Sequence, residues 1–156
     1  MKSIFAAFGL AFAAVAATPG AAPATTFPVL TFIYAASGVY NSGTNGNGTA
    51  TSVICTNLSG QTANVRWTFY NENGGASVPM TLAMANLKTQ TVSTHLTNAL
   101  NDVGLSMGTV KQGSVLIQST QSGVFCTAMI LDAAAVAPNG TDLHMVRFNA
   151  HPNTVE

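Results

Sequence analysis

Along Asn64–Tyr70, Val65, Trp67 and Phe69 alternate with Asn64, Arg66, Thr68 and Tyr70. A two-residue period of apolar and polar side chains is the mark of a β-strand with one buried face. This run is the second arm of Thr49–Tyr70, which reads as two strands around a tight turn. The residues between the arms, Asn57-Leu58-Ser59-Gly60-Gln61, are suited to a hairpin loop. The first arm carries Cys55, and the only other cysteine, Cys126, lies in a similar apolar run, Gly123–Leu131. The pattern predicts that the two runs meet across a core containing Trp67.

The rest of the chain repeats this grammar. Val29–Tyr40 reads as a first strand with a bulge at Ser37-Gly38, and Asn41–Thr49 as a Gly- and Asn-rich loop tip that buries nothing. Val78–Leu87 and Thr89–Leu96 read as strands joined near Asn86–Thr89, the second placing His95 on its polar side. Leu96, Leu100 and Val103 then fall at helical spacing, with Thr97 as a cap and Gly104 as a stop, so a short helical turn is expected there. Ser114–Thr120 reads as a hairpin with Gly123–Ala133 about Gln121-Ser122-Gly123, and Leu143–Asn149 as a last strand. About eight short strands, with a turn every 8–12 residues, predict an all-β chain built as an antiparallel β-sandwich with Greek-key connections. The Cys…Trp…Cys order is similar to that of immunoglobulin domains, with Trp67 twelve residues after Cys55. Val124 stands where such domains place a tyrosine, so the Ig-like architecture is an analogy and no family is named.

Residues 1–24 do not belong to the fold. Lys2 is followed by the apolar segment Ile4–Ala17, and Ala22-Pro23-Ala24 supplies a small-x-small cleavage pattern. This is the sequence of a secretory signal peptide, too short for a membrane span of about 20 residues. Residues 25–156 remain as a single domain of roughly 130 residues, and residues 151–156 are expected to fray. Two cysteines in an exported chain predict one disulfide, Cys55–Cys126.

Only 6% of the chain is charged, against about 25% in ordinary globular proteins. Beyond residue 24 the charges are Arg66, Lys88, Lys111 and Arg147 against Glu72, Asp102, Asp132, Asp142 and Glu156. No basic cluster exists to hold phosphates or an anionic membrane, so nucleic acid and membrane surfaces are excluded as partners.

Three features invite a chemical reading. Gly104-Leu105-Ser106-Met107-Gly108 matches G-x-S-x-G, followed by Asp132 or Asp142 and by His144 or His151 in the chain order of α/β-hydrolases. That motif requires a strand-to-helix turn, whereas Ser114–Thr120 downstream reads as a strand, so Ser106 is assigned to a connecting loop. His95, His144 and His151 with Asp142 offer ligand chemistry for zinc or copper, but no tight constellation groups them; they are read as solvated, and no metal or cofactor is expected. Asn47, Asn57 and Asn139 stand in N-x-S/T triplets, all in predicted turns. Methionines 80, 84, 107, 129 and 145 are assigned to the core.

The expectation is therefore a periplasmic or extracellular, non-enzymatic protein of the cell envelope, acting through contacts with protein partners or with itself. Its rivals are a small-ligand or glycan binder using the loops Asn41–Gly48 and Asn71–Gly75, and, more remotely, a serine hydrolase at Ser106. N-terminal sequencing of the exported chain is expected to begin at Thr25, with Thr18 as the second choice. An unprocessed Met1 on exported protein would remove the signal-peptide reading.

Overall fold

The computed structural model describes residues 29–148; residues 1–24, on which the signal-peptide reading falls, the lead-in to Pro28 and the tail with His151 lie outside the described residues. The described residues form ten strands and no helix: β1 (Thr31–Thr44), β2 (Asn47–Asn57), β3 (Ala63–Tyr70), β4 (Met80–Met84), β5 (Thr89–Ser93), β6 (Asp102–Gly104), β7 (Val110–Ser119), β8 (Val124–Asp132), β9 (Gly140–Leu143) and β10 (Val146–Arg147). The all-β expectation holds, and two of its details change. In place of two separate layers there is one curled mixed sheet, because β1 carries the hydrogen bonding from one half to the other. One half runs β4-β3-β7-β1-β10 and the other β6-β5-β2-β8-β9, with the far end of β1 pairing β2.

The bend of β1 is written in its register. Its pairing with β7 slips between Phe32 and Tyr34, Ser37 and Val39, and Val39 and Asn41. The expected bulge at Ser37-Gly38 is the second of these, and Gly38 takes a positive φ of 91° there. Past the bulges β1 leaves β7 and forms a hairpin with β2 through Asn45-Gly46, so Asn41–Thr49 is strand and tight turn rather than a loose tip. Where the two strands diverge, Thr51 takes over from the ladder. Its Oγ1 donates to the Tyr40 carbonyl at 2.8 Å and accepts from the Tyr40 N–H at 2.9 Å.

Both halves feed one core. Val65, Trp67 and Phe69 are fully buried, as their alternation requires, together with Val39, Val53, Val92, Val115 and Ile117. Met84 is buried and Met80, Met107 and Met145 pack against the same cluster. The disulfide Cys55–Cys126 is present, with the two residues directly opposite each other on β2 and β8. Its position corrects the Ig analogy, because it joins neighbouring strands of one half rather than bridging the core.

Two turns were expected to make hairpins, Asn57–Gln61 and Gln121–Gly123, and neither does; the join near Asn86–Thr89 behaves the same way. β2 and β3 do not pair, nor do β4 and β5, nor β7 and β8; each turn carries the chain from one half to the other. The three arches stack at one end around Asn57. Its Nδ2 donates to the carbonyls of Gln61 (2.7 Å) and Met84 (2.8 Å), while its Oδ1 accepts from the Ser59 N–H. Its backbone exchanges hydrogen bonds with Lys88 and Leu87, and Leu58 donates to Gly123 O. Asn57 is wholly buried, so its triplet is closed to glycosylation in the folded chain, whereas Asn47 and Asn139 are exposed.

The expected helical turn is also absent. The chain leaves β5 at Ser93, and Asp102–Gly104 returns as β6, the one parallel neighbour among the described strands. Thr97 caps nothing; the Asp102 carboxylate instead accepts from the Thr97 N–H and hydroxyl. Leu96, expected inside, faces solvent. The helical spacing of Leu96, Leu100 and Val103 was formed by side chains of an irregular crossover.

Trp67→Ala is expected to lose about 3–5 kcal/mol of stability, measured by denaturant unfolding, and native tryptophan emission should be blue-shifted. Asn57→Ala should lose at least about 2 kcal/mol, since two carbonyls and an N–H are left without a partner. An Asn57→Ala protein as stable as the parent would show that the arches do not depend on this side chain.

Candidate functional site

The end of the sheet opposite the arches holds the side chains that the sequence had marked for chemistry. His95, read as a solvated histidine, is only 2% exposed. Thr94 and His95 lie beyond the last residue of β5, where the chain turns inward beneath the β1–β2 hairpin. The turn is held by Gly46 N–H to Leu96 O and by Leu96 N–H to Asn45 Oδ1. The alternation that put His95 on a polar face already fails inside β5, where Thr91 and Ser93 on that face are buried as Val92 is on the other.

Asn41, also buried, fixes the imidazole. Its Nδ2 donates to the carbonyls of Met107 and Gly108, both at 2.9 Å, which turns its Oδ1 toward His95 Nδ1 at 2.7 Å. An amide oxygen only accepts, so Nδ1 carries the proton, and in the neutral ring Nε2 is a bare lone pair. Nε2 is buried and has no hydrogen-bond partner among the described residues. Burial holds the His95 pKa below its usual 6.5, outweighing the Asn47 backbone and the Asp102 carboxylate, which both favour the charged ring.

His95 shares the wall of a depression of about 200 Å³ with Gly43, Thr44, Asn45, Ser106 and Met107. Ser106 stands between β6 and β7 in the loop expected of it, exposed, with a positive φ of 50°. Leu105 and Met107 on either side are tied down by N–H bonds to the carbonyls of Ser93 and Thr94. Only two non-glycine residues described have a positive φ, and Ser106 is the one beside a buried imidazole. Beyond Met107 the surface continues into a second hollow lined by Asn71, Gly75, Ser77 and Thr109. A third, of about 550 Å³, shares Asn71 and includes Tyr70, Glu72 and Gln112. The two loops expected to form one end of the molecule, Asn41–Gly48 and Asn71–Gly75, thus flank the same Met107–Gly108 segment.

The other candidates do not gather here. Asp142 and His144 line a separate hollow with Thr127 and Leu143. Among the described residues no three His, Cys, Asp or Glu side chains are close enough to hold a metal ion. His151 lies outside the described residues. Asp132 accepts from the Ala134 N–H in a turn. A second feature that alternation did not reveal is an aromatic edge around Arg147. Its guanidinium lies 4.8 Å from the Phe125 ring centre and 5.8 Å from that of Tyr34, and it donates to Ser122 O. Phe125 is 46% exposed, and Phe148, bonded through its N–H to Ile33 O beside the exposed Phe32, is 39% exposed.

No protein-family model matches the chain, and no curated protein does. Among solved structures, the crystal structure of Thermotoga maritima 1070 is similar at a TM-score of 0.46 and 19% identity, over 72% of this chain and 93% of that one. The Anabaena sensory rhodopsin transducer is similar at a TM-score of 0.40 and 18% identity, over 63% of this chain and 96% of that one.

The His95 environment sets a pH dependence. Between the lowered folded pKa and 6.5, the unfolded chain binds the proton and the folded chain does not. Stability therefore falls as pH drops through that window and levels off below the folded value. Unfolding free energies measured from pH 7 downward should show this slope, and His95→Phe should remove it. An unchanged slope in the variant would place the titrating group elsewhere.

Proposed function

We propose that the chain is exported and acts without catalysis, as a β-rich module of the periplasm or extracellular space that works by contact with protein chains, including its own. The observation that carries this reading is the aromatic edge: exposed Phe32, Phe125 and Phe148 gathered near an arginine that already stacks on two rings. Aromatic residues and arginine are the side chains enriched in protein–protein interfaces, and their ordered stacking leaves little rotamer entropy to lose on binding.

Other features agree with it. The signal-like residues 1–24 supply the route out of the cell, and a buried disulfide is compatible with an oxidising compartment. With nine charged side chains after residue 24 and a net charge near −1, little like-charge repulsion keeps copies apart. Neither Lys88 nor Lys111 guards an outer strand, because Lys88 sits in an arch and Lys111 on β7 between two neighbours. Thr31–Tyr34, which follows Pro28 without a lysine or proline of its own, is partly covered: Ile33 and Tyr34 meet Phe148 and β10 on their second side, while Thr31 and Phe32 pair β7 alone among the described residues. The edge strands are β4, β6, β9 and β10, and β10 is the one beside the aromatic cluster. For Ser106, the segment that follows leads into β7 rather than into a helix that would present an oxyanion donor.

Light scattering on the exported protein over a wide concentration range tests the reading. A mass that rises with concentration is expected, with Phe125→Asp returning it to that of a monomer while thermal unfolding stays cooperative. A strictly monomeric parent, indifferent to salt, would remove self-association and leave a heterologous protein partner. Association unaffected by Phe125→Asp would move the contact away from this edge.

A further inference from the structure

We infer that the hollow beneath the β1–β2 hairpin is a binding site for a small, neutral, hydroxyl-bearing ligand of the size of one sugar ring, which donates a hydrogen bond to His95 Nε2. The site lies at the hairpin end, is independent of the aromatic edge, and stands or falls separately from the protein-contact reading.

The argument starts from an unfilled valence. A buried polar atom without a partner is destabilising; two side-chain atoms among the described residues are left so, Trp67 Nε1 and His95 Nε2, and His95 is the one beside the hollow. Ser52 and Ser93 pair their hydroxyls at 2.6 Å, and Thr51 bridges Tyr40 and Thr94. His95 is held rigidly by Asn41, which is itself locked by two carbonyls, so the orientation of its empty Nε2 is built in rather than accidental. The same logic preorganises imidazoles wherever they receive a ligand or a proton.

The wall around the ring selects the chemistry. The Nδ1 tautomer leaves Nε2 able to accept only, so the ligand atom is a donor. Thr44 and Ser106, both hydroxyl-bearing, line the same hollow. The Asn45 amide has its oxygen engaged by the Leu96 N–H, which leaves its Nδ2 to donate. No charged side chain lines the hollow, and the nearby charge felt by the ring is the Asp102 carboxylate. An anion is repelled there, and an ammonium would be desolvated with no carboxylate in the wall to receive it. A neutral polyol meets every requirement. The volume of about 200 Å³ is below the 300–1,000 Å³ of sites for drug-sized ligands, which limits the occupant to one ring. The adjoining hollows past Met107 and Asn71 give longer chains of such rings a direction to extend, toward Tyr70.

Entry requires one movement. Nε2 has less than 1 Å² of accessible surface, so a wall residue must yield before a hydroxyl reaches it. Ser106 is the wall residue that is both exposed and held at a positive φ, and its return to an ordinary conformation is downhill.

The test is an NMR titration of the isotope-labelled chain, purified after export, with glucose, glucuronate and glucosamine as probes. Glucose is expected to give saturable shifts confined to Thr44, Asn45, His95, Ser106 and the His95 imidazole nitrogens. The anionic and cationic sugars should bind at least threefold more weakly. His95→Phe should weaken glucose roughly tenfold. Thr44→Trp, at an exposed position where the fold tolerates change, should abolish binding by filling the hollow, and it serves alone if the His95 variant does not fold. Absence of saturation with glucose, tighter binding of either charged sugar, or shifts that persist in Thr44→Trp would each overturn the inference.

Discussion

One buried amide organises the half of the molecule where the chain changes direction. Asn57 ends β2, and its two side-chain polar atoms satisfy groups from two separate crossings, Ser59 and Gln61 in one and Met84 at the start of the other. Its own N–H and C=O are taken by Lys88 and Leu87 of that second crossing. The third crossing joins through Leu58, which donates to Gly123 O. A Cβ on Gly123 would lie 2.7 Å from the Ser59 Cα, so the third arch can close on the first only with glycine there. Three changes of sheet half are thus made to depend on one another. Backbone groups where the chain leaves the sheet have no strand ladder to satisfy them, and at the buried root of the arches a side chain that offers both donor and acceptor replaces it.

The local texture of this fold was legible in the sequence, and its connectivity was not. Val65, Trp67 and Phe69 declared their buried face, Ser37-Gly38 declared a bulge, and Cys55 and Cys126 declared each other. All three are properties of a few adjacent residues or of a unique pair. Asn57–Gln61, Asn86–Thr89 and Gln121–Gly123 equally declared turns, but a turn residue specifies where the chain reverses and not which strand receives it. Hairpin and arch use the same Asn, Ser and Gly. The helical spacing at Leu96–Val103 misled because three apolar residues in an irregular crossover can fall at i, i+4 and i+7 without a helix. Neither the parallel β5–β6 pair nor the stacking of Arg147 on Phe125 has a local signature, since both join residues distant in sequence.

For the candidate site, the loops were identified from composition, and Ser106 from a motif that pointed to the wrong chemistry. His95 was misplaced because the end of β5 is buried on both faces, so the hydroxyls of Thr91 and Ser93 marked a polar face that is not a solvent face. Asn41 had no signal at all: an asparagine in a Gly/Asn-rich stretch reads as turn material, and only the fold shows it buried against an imidazole. In a chain with so few charges, amides and hydroxyls take on the structural work that ion pairs do elsewhere. They therefore appear in the interior where sequence habits place them outside.

The covalent link has a consequence for the order in which the protein is made. Cys55–Cys126 closes a ring that contains β3 to β7 and leaves β1, β9 and β10 outside it. β1 is among the first strands to emerge in synthesis, yet its lateral neighbours are Val110–Ser119 and Val146–Arg147. Until nearly the whole chain is available, β1 has only the short hairpin with β2 to hold it, and an isolated two-stranded hairpin is marginal in water. Such distant pairing delays folding, because loop closure must precede the contacts that reward it. If the chain is exported as proposed, the same delay becomes an asset, because it keeps the chain threadable until β10 has passed through.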